Sequence, residues 1–131
     1  MDEGREAVIV EAGPPGGRPS ARVVAQAAEV LRSGGLVALP TDTVYGLAAL
    51  PGVEGATAAL FALKRRGGDL PVAVLCASAD QALGLAAPES VTDEVRRLAA
   101  RLWPGALTLV LPRRPGLAYA LGEPTGTVGV R

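Results

Sequence analysis

The stretch Leu39-Pro40-Thr41-Asp42-Thr43-Val44-Tyr45-Gly46-Leu47 decides how this chain is read. A short apolar run, Leu36-Val37-Ala38-Leu39, leads into it and reads as a buried strand. Pro40 has no N–H to give a sheet. Two hydroxyls, a carboxylate and a phenol then follow within five residues, and Gly46 lets the backbone turn or approach a ligand closely. A polar, glycine-closed segment just past a strand end is where open α/β sheets bind small molecules. The same residues also suit an ordinary turn capped by Thr or Asp, and residue types alone do not separate the two.

Working outward, Ala7-Val8-Ile9-Val10 reads as a strand and residues 13–19, rich in Gly and Pro, as a loop. Ser20 caps a helix running to about Ser33, with Val23, Ala27, Val30 and Leu31 on one face, and Gly34-Gly35 ends it. Downstream, the spacing of Val53, Ala56, Leu60 and Leu63 predicts a helix over roughly Val53 to Arg65. Leu70 to Cys76 reads as a strand with Pro71 at its entry. Ser78 caps a short helix to about Leu85, and a further helix runs from about Ser90 to Leu102. Trp103-Pro104-Gly105 is a turn, Ala106 to Leu111 a strand, Pro112 to Pro124 loop-rich, and Thr127 to Arg131 a last strand. This alternation predicts one α/β domain over residues 1–131, with the charged residues 1–6 frayed. The continuous apolar strands imply helices or loops on both faces of the sheet.

The chain has 131 residues, 49% of them apolar, which is enough to bury a core and argues against disorder. No apolar run reaches membrane-spanning length and no basic segment precedes an apolar one at the start, so a soluble, cytoplasmic protein is expected. The single Cys76 sits in an apolar run and reads as buried packing. There is no histidine, which excludes Ser-His-Asp and Cys-His catalysis and His-ligated metal sites; one cysteine excludes zinc fingers. The chemistry left is that of Arg, Lys, Thr, Ser, Tyr, Asp and Glu, which favours charge stabilisation over a base poised near neutrality. The formal net charge is zero but uneven: residues 1–62 balance at −3 and residues 63–131 at +3. The second half is therefore the side that suits an anion, although a solvated basic face has the same signature.

Lys64 is the only lysine among thirteen basic residues, which suggests a site needing a compact ammonium. In Lys64-Arg65-Arg66 the cations either complement the C-terminal dipole of the second helix or clamp a phosphate, with Gly67-Gly68 giving a mobile loop that closes over a ligand. No Gly-x-x-x-x-Gly-Lys-Ser/Thr motif is present. Trp103 reads as a core anchor and Thr108 as a strand residue.

The run Pro40 to Leu47 resembles the signature of the YrdC-like family, the threonylcarbamoyl-AMP synthases. Three later segments resemble that family in the same order: Lys64-x-Arg66 followed by a short loop and Pro71-Val72, then Trp103-Pro104-Gly105-x-x-Thr108, then Thr127-Val128-Gly129-Val130-Arg131. The resemblance covers nearly the whole chain from about residue 20. The chain departs from the pattern at Gly67, where a Pro is usual, at Leu70, where a polar residue is common, and at Leu75, where some members have a His that touches threonine. The fold implied is a single-domain twisted open mixed β-sheet with flanking helices, incomplete on the C-terminal side, since members continue past this Arg with a Ser-x-Asn segment that helps bind ligands.

The activity implied is formation of threonylcarbamoyl-AMP and pyrophosphate from L-threonine, bicarbonate or CO2, and ATP, with Mg2+, for threonylcarbamoyl modification of a tRNA adenosine. By the resemblance, Thr41 lies near threonine and Arg131 binds its carboxylate. Lys64 and Arg66 contact the nucleotide phosphates and support catalysis, and Thr127 lies by the nucleotide. Asp42 orients the loop or approaches the metal, and Thr43, Tyr45 and Thr108 are further candidates. Metal ligands and oligomeric state stay open; tRNA and the downstream transfer machinery are the implied partners. The alternatives are a non-catalytic RNA-binding module, a relative that uses carbamoyl phosphate, and an inactive fragment that pairs through an open sheet edge. Zero net charge and only four aromatic residues make a poor stacking platform for RNA.

Overall fold

Ser20 starts the first helix as its hydroxyl predicts: it accepts a hydrogen bond from the Val23 N–H at 3.3 Å, and α1 runs Ala21–Arg32. Such a cap contributes about 1 kcal/mol. At the other end Gly34 takes a left-handed φ of 83°, and the Gly35 N–H reaches back to the Val30 carbonyl at 2.9 Å. The structure, a computed structural model, describes residues 6–65 and 67–131. The expected fraying of residues 1–6 therefore lies, except at Glu6, outside the described residues.

β1 (Val37–Pro40) and β2 (Tyr45–Ala48) form an antiparallel hairpin in which Val37 faces Ala48 and Pro40 faces Tyr45. Pro40 thus sits inside the ladder, at its last pair, where a missing N–H is tolerated. α2 spans Ala56–Lys64. It begins three residues later than the apolar spacing suggests, because Gly55 at φ 77° holds a left-handed backbone that a helix cannot run through. Arg65 closes α2, also left-handed at φ 49°.

Ser78 caps α3 (Ala79–Leu83) by accepting from the Gln81 N–H at 3.1 Å. A 3-10 turn at Pro88–Ser90 follows, and α4 covers Asp93–Leu102. The cap of α4 is Thr92 rather than the neighbourhood of Ser90: the Thr92 hydroxyl takes the Val95 N–H at 3.3 Å, and Asp93 and Glu94 sit where the helix dipole favours anions. β3 (Leu109–Pro112) also begins late. The Trp103 indole N–H donates to the Leu107 carbonyl at 2.7 Å and holds residues 103–107 in a turn.

β3 pairs antiparallel with β4 (Thr127–Val130), Leu109 facing Val130 and Pro112 facing Thr127. On the other side of β4 the segment Val72 to Cys76 runs parallel. The Val74 N–H donates to Gly129 O (2.8 Å), the Arg131 N–H to Val74 O (3.0 Å) and the Cys76 N–H to Arg131 O (2.9 Å). The strand expected from Leu70 to Cys76 is thus an extended segment with a single bridge at Val74. The result is a mixed α/β fold with two small antiparallel ladders, the second extended by a parallel segment.

The strand expected at Ala7–Val10 does not form. That segment is irregular, with Val8 80% and Ile9 94% exposed, and among the described residues no ladder partner lies beside it. An apolar run makes a strand only where another edge receives its N–H and C=O groups.

The core lies under the second sheet. Val128 and Val130 are buried with Ala82 and Leu121, while Leu83, Ala86, Ala99 and Leu111 form a second cluster. Trp103 packs against both, as a core anchor should. α1 buries no residue, although Val23, Ala27 and Leu31 are half-buried along its apolar face. Among the described residues no helix is long and apolar enough to cross a membrane.

Candidate functional site

The loop between β1 and β2 is braced by its own first residue. The Thr41 hydroxyl accepts from the N–H groups of Thr43 (3.3 Å) and Val44 (3.2 Å) and donates to the Val44 carbonyl. With both acceptor positions and its one proton engaged, this hydroxyl is committed to the turn. The brace presents Asp42, whose Oδ2 lies 2.6 Å from the Arg131 Nη2.

Arg131 is itself fixed through its backbone, by the two hydrogen bonds to Val74 and Cys76. Its guanidinium hydrogen bond holds the Asp42 carboxyl below the usual carboxylate value, with a smaller opposing push from desolvation. The pair is only partly covered, the Arg131 side chain being 20% and the Asp42 side chain 46% exposed.

Around this pair opens a cleft of about 350 Å³. One wall is the hairpin, from Thr41 to Val44 with Gly46 and Leu47; the facing wall is Pro71-Val72-Ala73 and Leu75; Lys64 and Arg131 supply its cations. Lys64 is the last residue of α2, exposed, at a helix end whose dipole favours a cation. Among the described residues the Asp42–Arg131 contact is the one side-chain ion pair, so Lys64 brings its charge to the cleft uncompensated. A second cleft, about 450 Å³, lies beyond the pair and is lined by Leu75 to Ala79, Trp103 to Gly105, Asp42 and Arg131. Burial raises the pKa of the Cys76 thiol there. Among the described residues no group of three or more His, Cys, Asp or Glu could hold a metal.

The structure gathers Thr41, Asp42, Thr43, Lys64 and Arg131 around one cleft. Three other candidates stand apart. Thr127 is at the far end of β4, four residues and about 13 Å from Arg131. Its carbonyl receives the Arg113 Nε at 3.2 Å. Thr108 is exposed just ahead of β3, and Tyr45 is 79% exposed; neither lines the two clefts. Arg66 lies outside the described residues.

Two backbone hydrogen bonds tie the Gly67-Gly68 loop that was expected to be mobile. The Gly68 carbonyl accepts the Glu123 N–H at 2.6 Å, and the Leu70 N–H closes back on Gly67 O. Sequence reasoning also missed Arg113. Its Nη1 donates to Tyr119 O at 2.8 Å and its Nε to Thr127 O, which shapes the loop carrying Glu123. Nothing in the sequence distinguishes Arg113 from Arg114 beside it. Of the apolar cleft wall, Val72 and Leu75 were marked by the family pattern, Leu75 at a position where some members have a His, while Ala73 was legible only as strand.

The family model for Sua5/YciO/YrdC, described as telomere recombination, matches residues 29–131. A provisionally named threonylcarbamoyl-AMP synthase of Mycobacterium leprae (strain TN) is 44% identical over 111 residues, 85% of this chain and 50% of that protein. The threonylcarbamoyl-AMP synthase of Pyrococcus abyssi (strain GE5 / Orsay) is 42% identical over 105 residues, 80% of this chain and 30% of that one. Among solved structures, P. abyssi Sua5 complexed with L-threonine superposes with a TM-score of 0.79 at 39% identity, covering 88% of this chain and 33% of that chain. The chain thus spans about half the length of the bacterial relative, and less of the archaeal one. With the family model matched over 103 of its 131 residues, the chain belongs to the Sua5/YciO/YrdC family.

Proposed function

We propose that this chain, as a single YrdC-like domain, joins L-threonine, bicarbonate or CO2, and ATP into threonylcarbamoyl-AMP and pyrophosphate. The reaction is a nucleotidyl transfer, and its product serves threonylcarbamoyl modification of tRNA in the cytoplasm. The observation that carries the reading is the convergence of Lys64 and Arg131, 67 residues apart in sequence, on one cleft walled by the Thr41–Leu47 hairpin. The named activity of the P. abyssi relative and the L-threonine in its Sua5 structure support the choice of substrate.

The chemistry suits a chain without histidine. Once the threonine amine has taken up CO2 and lost its protons, the carbamate is an anionic nucleophile. Its oxygen attacks the α-phosphorus of ATP; the bond from that phosphorus to the bridging oxygen breaks, and pyrophosphate leaves with the electron pair. The step needs alignment and charge neutralisation rather than a base. In this reading Arg131 holds the amino-acid carboxylate through its planar fork, and Lys64, with Arg66, faces the phosphates. Thr127 lies toward the nucleotide, while Thr41 acts through the loop that it braces. Mg2+ would come with ATP and be held mainly by the phosphates, since Asp42 is the one side-chain carboxylate lining the cleft among the described residues.

The test is pyrophosphate release from ATP by this protein, with L-threonine or bicarbonate omitted in turn. Release that requires both establishes the synthase. Release that needs neither, or none with both present, refutes the assignment for this chain.

A further inference from the structure

The Asp42–Arg131 pair borders both clefts, and both of its members line each of them. Asp42 is the one side-chain carboxylate in either lining among the described residues. The pair spends a single N–H of the guanidinium, which carries five, and among the described residues that guanidinium makes no other hydrogen bond. Most of its donors therefore stay open to a ligand, on a pair that is only partly covered.

A lone arginine binds any carboxylate. This arginine carries a carboxylate 2.6 Å away, so the two together are neutral. An anion approaching Arg131 also approaches Asp42, and that repulsion cancels much of the attraction. A zwitterion meets no such opposition. The carboxylate and ammonium of an α-amino acid are one carbon apart and can lie antiparallel along the pair, each charge beside its opposite. The Thr41 hydroxyl does not compete for the ammonium, since its Oγ1 is committed to the turn. The guanidinium lowers the Asp42 pKa, so at neutral pH the acceptor is charged and the ligand is zwitterionic.

We propose that Asp42 is a specificity-determining residue: with Arg131 it reads the zwitterion of an α-amino acid, Asp42 taking the ammonium and Arg131 the carboxylate. The inference rests on the threonine reading above and adds to it the group that rejects carboxylates lacking the amine.

The experiment compares calorimetric binding of L-threonine and of its deaminated counterpart, 3-hydroxybutyrate, to the wild-type protein and to Asp42→Asn, with thermal unfolding to confirm that the variant folds. Asn keeps the size and removes the charge. The wild type should prefer threonine by roughly tenfold or more, the scale of a hydrogen bond to a charged group. In Asp42→Asn that preference should collapse toward unity, with 3-hydroxybutyrate binding at least as well as before. An unchanged preference in the variant overturns the proposal. So does an equal gain for both ligands, which would make Asp42 a mere competitor for Arg131, or an equal loss, which would make it only a brace. Serine and alanine with their deaminated counterparts separate this failure from failure of the function. If threonine does not bind but another amino acid shows the Asp42-dependent preference, the threonine reading falls and the pair's role stands. If no amino acid is preferred over its deaminated form, the pair's role falls.

Discussion

Replacing Gly122 by Ala tests whether the cleft depends on a loop that contributes no residue to it. Gly122 has φ 90°, and a Cβ there would lie 3.0 Å from the Gly68 carbonyl oxygen, 3.1 Å from Pro71 Cα and 3.2 Å from Phe61 Cζ. The left-handed conformation costs an L residue about 1–2 kcal/mol. Crowding adds about 1–3 kcal/mol, because two of the three neighbours are backbone atoms and the third is a ring tip. The lower entropy of the unfolded Ala chain returns only about 0.4–1 kcal/mol, so the net loss is about 1–5 kcal/mol. Gly116→Ala is the internal control. Its φ of 83° is similar, yet nothing lies within 4 Å of the added Cβ, so it carries the conformational cost without the crowding. Urea unfolding of the two variants should separate them by at least about 1 kcal/mol. The Gly122 variant should also lose substrate affinity, since the displaced Gly68–Pro71 backbone leads into the cleft wall. Equal midpoints for the two variants would refute the claim that the close approach at Gly122 sets this geometry.

Three further perturbations probe the site itself. Lys64→Ala should cut ATP-dependent pyrophosphate release by about a hundredfold or more while moving the unfolding free energy by less than about 0.5 kcal/mol, because the residue is exposed at a helix end; an active, ATP-tight variant would remove Lys64 from the site. Thr41→Val deletes the hydroxyl that closes the hairpin turn and should cost about 1 kcal/mol of stability, yet weaken threonine binding more than that figure implies, by loosening Asp42; equal losses in melting and in binding would show that the turn does not position Asp42. The Asp42 carboxyl is held below its ordinary value of 3.8, so what it contributes to stability is present above that value and lost as pH falls through the lowered one. The stability gap between wild type and Asp42→Asn should therefore be flat from neutral pH down to 3.8 and shrink below it; a gap already shrinking near neutrality would mean that the carboxyl is raised.

What the sequence made legible was local. Ser20 and Ser78 were readable as caps because the hydroxyl and the N–H it receives are three residues apart. The start of α4 was not: the expected start near Ser90 is taken up by the 3-10 turn at Pro88–Ser90, and Thr92 caps the helix. Ala7–Val10 failed as a strand because pairing is a property of the edge that receives it, and periodicity says nothing about that edge. Gly67-Gly68 reads as a hinge from its own composition, yet the Glu123 N–H that ties it down comes from 55 residues away. In the site, Thr41 was found as a candidate by its motif, but the engagement of its hydroxyl by the turn could be read only from the folded loop.

The two cations that line the cleft among the described residues are placed by contacts that lie outside the motifs naming them. Lys64 stands at the end of α2, a helix anchored by buried Ala56, Thr57 and Leu60 and abutting Gly122 through Phe61. Arg131 is set by backbone hydrogen bonds to Val74 and Cys76, and its side chain is then drawn to Asp42 across 89 residues. Arg113 holds the intervening loop by two carbonyls, one of them on Thr127 at the start of β4. A chain could keep every residue of the four motifs and still lose the cleft by altering residues 113–123, because a motif supplies side chains while the crossing loops supply the distances between them. The site is in this sense written twice, once in residue types that a sequence displays and once in backbone contacts that only the fold creates. The second record gives Asp42 a guanidinium to pair with, and so gives the cleft the opposed charges that a zwitterion fits.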